Sequence, residues 1–224
     1  MVGNKSPHRK SRSSSIEVQE RLLQAAAVEF ASHGFEGAST RRIADQAGIF
    51  QAQIGYHIGS KDDLWRATVD YLFARLRAEL DQAITSSHDE PVNDPAGLFA
   101  DVFRRHVRHT AKHPELSRIM LMETAKKSPR VDWLLKNHVR PTFAALQLVW
   151  AEVRSTGRGR NLPAEEVFML MIGLAPTPFT QAGLMRPLLG IARCTPERHA
   201  VSMIEWILGS LTRPLSKQLS AMTT

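Results

Sequence analysis

One cysteine, Cys194, stands among 224 residues. A lone thiol cannot build a disulfide framework, which excludes the small stapled secreted folds and points to a reducing cytoplasm. With no second cysteine and no activating neighbour in sequence, Cys194 reads as an ordinary small side chain rather than a redox sensor. No apolar run reaches the roughly 18 residues that a membrane span needs, so no membrane partner is expected. Lys5, Arg9, Lys10 and Arg12 sit near the start, but no apolar run follows them as it would in a secretory leader. Also missing are a Gly-rich phosphate loop, a nucleophile elbow and a paired metal motif, so an enzyme is not expected and neither is a cofactor. No period-2 alternation stands out, so no sheet is expected, and there is no internal repeat.

What is there is aliphatic and basic. Hydrophobic residues make up 43% of the chain, enough for one large domain or two small ones and too many for a disordered protein. The net charge of +7 favours acidic partners, nucleic acid before an anionic membrane, although mild basicity is common among proteins.

Residues 1–15 are rich in Ser, Lys and Arg without periodicity and are expected to be a disordered basic arm. Such an arm either adds phosphate contacts or has no role. From Ile16 to His33 a helical stripe of Leu22, Ala26 and Phe30 appears, widened by Leu23 and Ala27. Gly34 stands where a helix ends in a left-handed residue, and Phe35 can fold back on the last turn.

The stretch from Ser39 to Lys61 organises the rest. Ser39 or Thr40 can cap a helix whose short apolar face is Ile43, Ala44 and Ala47. Gly48 breaks it and Ile49 returns toward the core. A further helix, about Gln51 to His57, carries Ile54. A helix-turn-helix needs a small residue where its helices touch, a glycine in the turn and an aliphatic plug on the second helix. Ala44, Gly48 and Ile54 fill those places. Ser60 then caps a long helix, with Asp62 and Asp63 in the first turn where the helix dipole favours carboxylates. Its stripe is Trp65, Val69, Leu72, Leu76 and Leu80, and it ends in the polar stretch SSHDEPVNDP, the expected domain boundary.

The second half reads as helices throughout. Asp94-Pro95, His113-Pro114, Ser128-Pro129 and Thr195-Pro196 each place proline at a first helical position, giving helices at about 95–112, 114–126, 129–155 and 196–212. Another begins near Pro163 and is bent or ended by Pro176 and Pro178. Pro141 should kink the helix over 129–155.

The N-terminal residues resemble those of TetR-type transcriptional regulators. The residues that carry the likeness are Arg21, Leu22 or Leu23, Ala25-Ala26, Phe30, Gly34, Thr40, Ile43-Ala44, Ala47-Gly48, Tyr56 and Ser60-Lys61 with Leu64. The resemblance covers about Arg21 to Trp65. Phe50 stands where that family usually has a capping Ser or Thr, and is expected to pack on the first helix as a hydrophobic staple. Gly55 stands where a larger residue is usual, at a cost of roughly 1 kcal/mol in helix propensity.

An α-helix fits the major groove, with side chains near its N-terminus at the base edges. Gln51 and Gln53 are the expected readers, each able to pair bidentately with adenine, and Ala52 can touch a thymine methyl. The resemblance assigns phosphate contacts to Tyr56 and His57. Lys61 and Thr40 are expected to do the same, with Arg41 and Arg42 adding charge. His106, His109 and His113 share one helical face. Metal ligation is the lesser reading of them, since no nearby Cys or carboxylate completes a set, and a polar anchor for an effector lies between that and simple hydrogen bonding.

The resemblance further implies a cavity in the second half and a homodimer joined by a four-helix bundle. Candidate pocket residues are His106, Met120, Trp133, Phe143, Phe168 and Phe179. Candidate interface residues are Phe168, Met171, Trp206, Ile207 and Leu211. The expectation is an all-α protein with an arm (1–15), a three-helix helix-turn-helix domain (16–61), a helical effector-binding and dimerisation domain (62–212) and a flexible tail (213–224). Its implied function is that of a cytoplasmic regulator, a repressor released from a palindromic double-stranded operator by a small hydrophobic ligand. An architectural DNA-binding protein without effector is the alternative, and an enzyme using the helical domain the lesser one.

Overall fold

The computed structural model describes residues 7–86, 94–157, 162–190 and 195–209, with backbone alone at 7–15, 83–86, 189 and 209. Cys194, Leu211, the expected tail, the middle of the expected boundary and the first six residues lie outside the described residues. Every described element is helical, as the absence of period-2 alternation implies.

The chain falls into two compact units. The first comprises Met1–Ala74 with Arg118–Lys126, and the second Arg75–Ser117 with Lys127–Thr224. In the first, α1 (Pro7–Gly37) begins earlier than expected and takes in residues 7–15 of the expected arm. Proline is tolerated in the first turn, and Lys and Arg propagate a helix already nucleated downstream at little cost. The regular part of α1 ends at Gly34, whose φ is 66° and ψ 179°. This is not the left-handed helical cap but an extended mirror region that only glycine occupies readily. Phe35 does fold back, stacking on Phe30 with centroids 6.2 Å apart.

Next come α2 (Thr40–Ala47), α3 (Gln51–His57) and α4 (Lys61–Ser86). Leu22, Ala26 and Phe30 of α1 are fully buried, together with Ile43 of α2 and Leu64 and Val69 of α4. Each such large side chain contributes about 1.5–3 kcal/mol.

The second unit takes in the later part of α4, α5 (Pro95–Lys112), α7 (Pro129–Leu134), α8 (Arg140–Ser155), α9 (Ala164–Met169), α10 (Thr177–Thr180), α11 (Ala182–Leu189) and α12 (Pro196–Gly209). Between them, α6 (Glu115–Thr124) supplies residues to both units. The core of the second unit is built on Phe99, Phe103, Val107, Trp150, Val153, Val167 and Ile207. Trp150 also donates its Nε1–H to the Leu162 carbonyl at 2.8 Å.

Two single turns of π-helix interrupt this unit, Leu135–Val139 and Leu170–Leu174. Each ends two residues before a proline, Pro141 and Pro176. A proline ring clashes with the carbonyl four residues back, and widening the preceding turn moves that carbonyl away. The expected kink at Pro141 is therefore a π turn ahead of it.

Candidate nucleic-acid interface

Ser39, extended at φ −114° and ψ 119°, opens α2 and accepts from the Arg42 N–H at 3.4 Å. Gly48 closes it at φ 69° and ψ 38°, and its N–H turns back to the Asp45 carbonyl. A Cβ at Gly48 would meet nothing within 4 Å, so the backbone angle alone requires glycine. Ile49 then donates to the Ala44 carbonyl at 3.0 Å, and Ile54 is buried beneath α3. One inward residue in a seven-residue helix leaves the rest of α3 facing out. Gln51, Ala52, Gln53, Gly55 and Tyr56 are all exposed.

Phe50 lies beside them at 82% exposure. The expected staple is therefore absent, and the ring projects into solvent instead of onto α1. Its backbone sits in the extended N-cap conformation, which turns the ring off the helix rather than into the core. A phenyl ring has no hydrogen-bond acceptor for the free N–H groups. The end is closed from the other side, by Gln53 Oε1 accepting from the Phe50 N–H at 2.9 Å. Gln51 is also engaged, its Nε2 donating to Thr40 Oγ1 at 2.9 Å. Gln51 and Gln53 thus each carry a bond to the protein.

The adjacent arginines diverge. Arg41 is exposed and free to meet a phosphate. Arg42 turns back, donating through Nε to Glu29 Oε1 at 2.9 Å and through Nη2 to the Gly37 carbonyl at 2.9 Å. Its charge is paired with that of Glu29 and joins α1 to α2. Glu29, buried in α1, was not visible as a functional residue in the sequence. It also accepts from the Ser39 N–H at 2.8 Å. Burial raises the Glu29 carboxyl, but the Arg42 and Ser39 hydrogen bonds with the nearby His33 and Arg42 charges outweigh it, so its pKa is lowered overall.

At the far end of α3, Tyr56 is 87% exposed and packs edge-on against His57. Lys61 holds its Nζ 4.9 Å above the Phe35 ring, a cation–π contact that fixes the stem beside the same surface. Ser60 and Asp63 close the start of α4 reciprocally. The Ser60 N–H donates to Asp63 Oδ2 at 2.9 Å and the Asp63 N–H to Ser60 Oγ at 3.1 Å. The Ser60 hydroxyl first, and its N–H second, pull the Asp63 carboxyl down.

These residues form a small three-helix head with one outward helix. The family model for bacterial regulatory proteins of the tetR family matches residues 22–68. The HTH-type transcriptional repressor KstR2 of Mycolicibacterium smegmatis is 31% identical over 192 residues, covering 73% of this chain and 91% of that protein. The chain belongs to the TetR family. Members of this family are DNA-binding transcriptional regulators, which is not an enzyme class, and DNA is this chain's partner. Two solved structures share the fold. The fatty acid degradation regulator FadR from Bacillus halodurans superposes with a TM-score of 0.67 at 14% identity, covering 95% of this chain and 100% of that one. The TetR-family regulator PfmR from Thermus thermophilus gives 0.64 at 19%, covering 84% and 94%.

Outside the TetR-type head, the sequence candidates scatter. The second unit holds a cavity of about 220 Å³ with apolar walls from Leu80, Phe99, Val102, Leu146, Val149 and Met171. Arg77, Asp81 and Thr142 add polar groups to its lining. None of the six pocket candidates lines it. Met120 belongs to the first unit. Trp133 packs edge-on against His138, Phe143 against Phe168, and Phe179 against His199. The apolar residues that do line the cavity carry no signal in sequence beyond being apolar and helical.

His106 is buried, with Nε2 3.0 Å from the Met171 carbonyl. That carbonyl lies in a π turn, where the N–H five residues on would be its partner, and residue 176 is a proline. His106 supplies the missing donor, so its Nε2 carries the proton. It is a packing residue rather than an effector anchor. Burial first, and the His109 charge after it, hold its pKa down at about 4 despite the bond to Met171. His109 Nδ1 lies 3.2 Å from Glu79, and Arg75 donates to His113 Nε2 at 3.0 Å. Each histidine faces a different protein partner. Among the described residues no three His, Cys, Asp or Glu side chains converge as metal ligands, and no single helix is long and apolar enough to cross a membrane.

Of the interface candidates, Trp206 is 55% exposed, Phe168 is partly buried and Met171 faces the cavity. Ile207 is fully buried within the single chain, so it backs α12 from inside and cannot meet a partner. Met169, Ile172 and Val201 are exposed large apolar residues outside that candidate set.

Proposed function

We propose that this TetR-family chain is a homodimeric repressor that reads a palindromic operator with α3 and is released by a small apolar ligand bound in the second unit. The observation that carries the reading is the exposed row of Phe50, Gln51, Ala52, Gln53 and Tyr56 on a helix anchored only by Ile54. Thr40, Arg41, His57 and Lys61 flank that row and supply phosphate contacts. Action as a repressor follows the named role of the Mycolicibacterium smegmatis relative. It also entails work beside the chromosome, in the cytoplasm.

Dimerisation uses the exposed apolar side chains of α9, the π turn after it and α12, namely Met169, Ile172, Val201 and Trp206. His199 of α12 packs edge-on against Phe179, just after that π turn, with ring centroids 6.0 Å apart. Two-fold symmetry then sets two copies of α3 about 34–36 Å apart or somewhat more. The cavity supports ligand control because its wall includes Arg77, Leu80 and Asp81 of α4, the helix whose first turn is capped within the head. A ligand that prefers one α4 position shifts operator affinity by a coupling of about 1–3 kcal/mol.

The test begins with selection of bound duplexes from a random library by the purified protein. A palindromic sequence should emerge, whereas broad retention without enrichment would mean an architectural DNA-binding protein. Affinity for the selected duplex is then measured across apolar acids, acyl thioesters and aromatics. A flat response throughout overturns ligand control.

A further inference from the structure

A glutamine at the start of a recognition helix suits adenine because its Oε1 and Nε2 together match the N6 donor and the N7 acceptor. That pairing needs both amide atoms at the base edge. Gln53 has one of them tied. Its Oε1 accepts from the Phe50 N–H at 2.9 Å, closing the N-terminus of α3. A backbone N–H can only donate, so the atom facing it is the carbonyl oxygen and the amide cannot be turned round. The exposed remainder of the side chain is Nε2 with its two hydrogens.

The bond is one half of a capping box, and Phe50, offering only a ring, supplies no oxygen for the other half. To pair bidentately with adenine, that oxygen must reach the base edge with its second lone pair while it holds the Phe50 N–H, whereas guanine asks nothing of it.

Gln51 differs. Its Nε2 donates to Thr40 Oγ1, and a hydroxyl both donates and accepts, so that amide can reverse without losing its bond. Gln53 alone has a fixed polarity.

We infer that Gln53 reads DNA as a donor only, and that the base facing it is guanine, whose O6 and N7 are both acceptors, rather than adenine. The inference rests on α3 being the DNA-reading helix.

The experiment uses the full chain and the duplex selected by it. Gln53→Ala identifies the facing base pair as the position where preference relaxes. Wild-type affinity is then measured with each of the four bases there, and with 7-deazaguanine, which lacks the N7 acceptor. Guanine should be bound roughly tenfold or more tighter than adenine, with part of that advantage lost for 7-deazaguanine. Gln53→Glu keeps an oxygen for the Phe50 N–H but has no donor. It should melt at or above the wild-type temperature and lose the guanine preference, a split that a purely structural role would not produce. Adenine as the preferred base, a Gln53→Glu variant that still prefers guanine, or no position relaxed by Gln53→Ala overturns the inference while leaving the regulator reading intact. Failure of the wild type to enrich any duplex overturns both.

Discussion

The two units are specified by different kinds of residue. In the first, single positions set the backbone. Gly34 and Gly48 hold positive φ, Ser39 opens α2, and Ser60 with Asp63 opens α4. Each device acts within four residues of chain. In the second, helices are interrupted by π turns ahead of Pro141 and Pro176, and the orphaned Met171 carbonyl is served by His106, 65 positions earlier. A reader must present side chains at fixed positions, and local rules do that. In the unit that encloses a cavity, the π turns stand at or beside its wall, and such turns are often found at functional sites. Met171 belongs to one such turn, and Pro141 borders the same cavity just after the other.

The sharpest break of this comparison is Trp150→Ala. The side chain is buried among Phe99 and its neighbours, so the variant should lose about 3–5 kcal/mol in chemical denaturation. Base preference of whatever protein remains folded should be unchanged. A shifted preference would mean that the head is not specified by its own residues.

Acid should act on the second unit before the first. His106 has its folded pKa lowered from 6.5 to about 4, so the unfolded chain binds more protons between those values. Stability should therefore fall as pH drops from about 6.5 to 4, by up to roughly 3 kcal/mol. Glu29 is also lowered, from 4.5, and its contribution fades only as pH falls below that value. Gln at position 106 keeps a donor for Met171 and does not titrate, so His106→Gln should flatten thermal midpoints across the higher window. An unchanged slope would remove His106 as its source.

Gly48→Ala tests the local device by itself. No atom lies within 4 Å of the added Cβ, so the cost is the positive φ alone, about 1–2 kcal/mol, and Gly48→Asn should cost less. The smallest expected effect has the opposite sign. Gly55 is helical with open space around it, so Gly55→Ala should stabilise by up to about 1 kcal/mol, read as a raised melting temperature.

Legibility in the sequence follows the same division. The bounds of α5 could be read from Asp94-Pro95 and His113-Pro114, because proline punctuation is a local rule. The turn at Gly48 and the plug at Ile54 were readable for that reason too. Arg42 was not, since two neighbouring arginines point about 100° apart on a helix and only the unseen partner Glu29 fixes which one turns inward. Phe50 was misread because an apolar residue beside a helix start has two outcomes, staple or solvent, that no neighbour decides. Ile207 was assigned to an interface because burial within a chain and burial between chains leave the same apolar mark. The lining of the 220 Å³ cavity was not legible for a related reason. Aromatic and methionine content tells how much surface is hidden but not which face surrounds empty space.

The bond between His106 and Met171 has a consequence for inheritance. Proline at 176 creates the need for a donor, and histidine at 106 meets it, so neither is free to drift alone. In any descendant that loses Pro176, an ordinary residue restores the N–H and releases position 106 to vary. A lineage that keeps the proline but mutates the histidine must recruit another donor or carry a buried, unanswered carbonyl. The two positions form a linked pair by which descendants with an intact second unit can be told from those whose wall has been rebuilt.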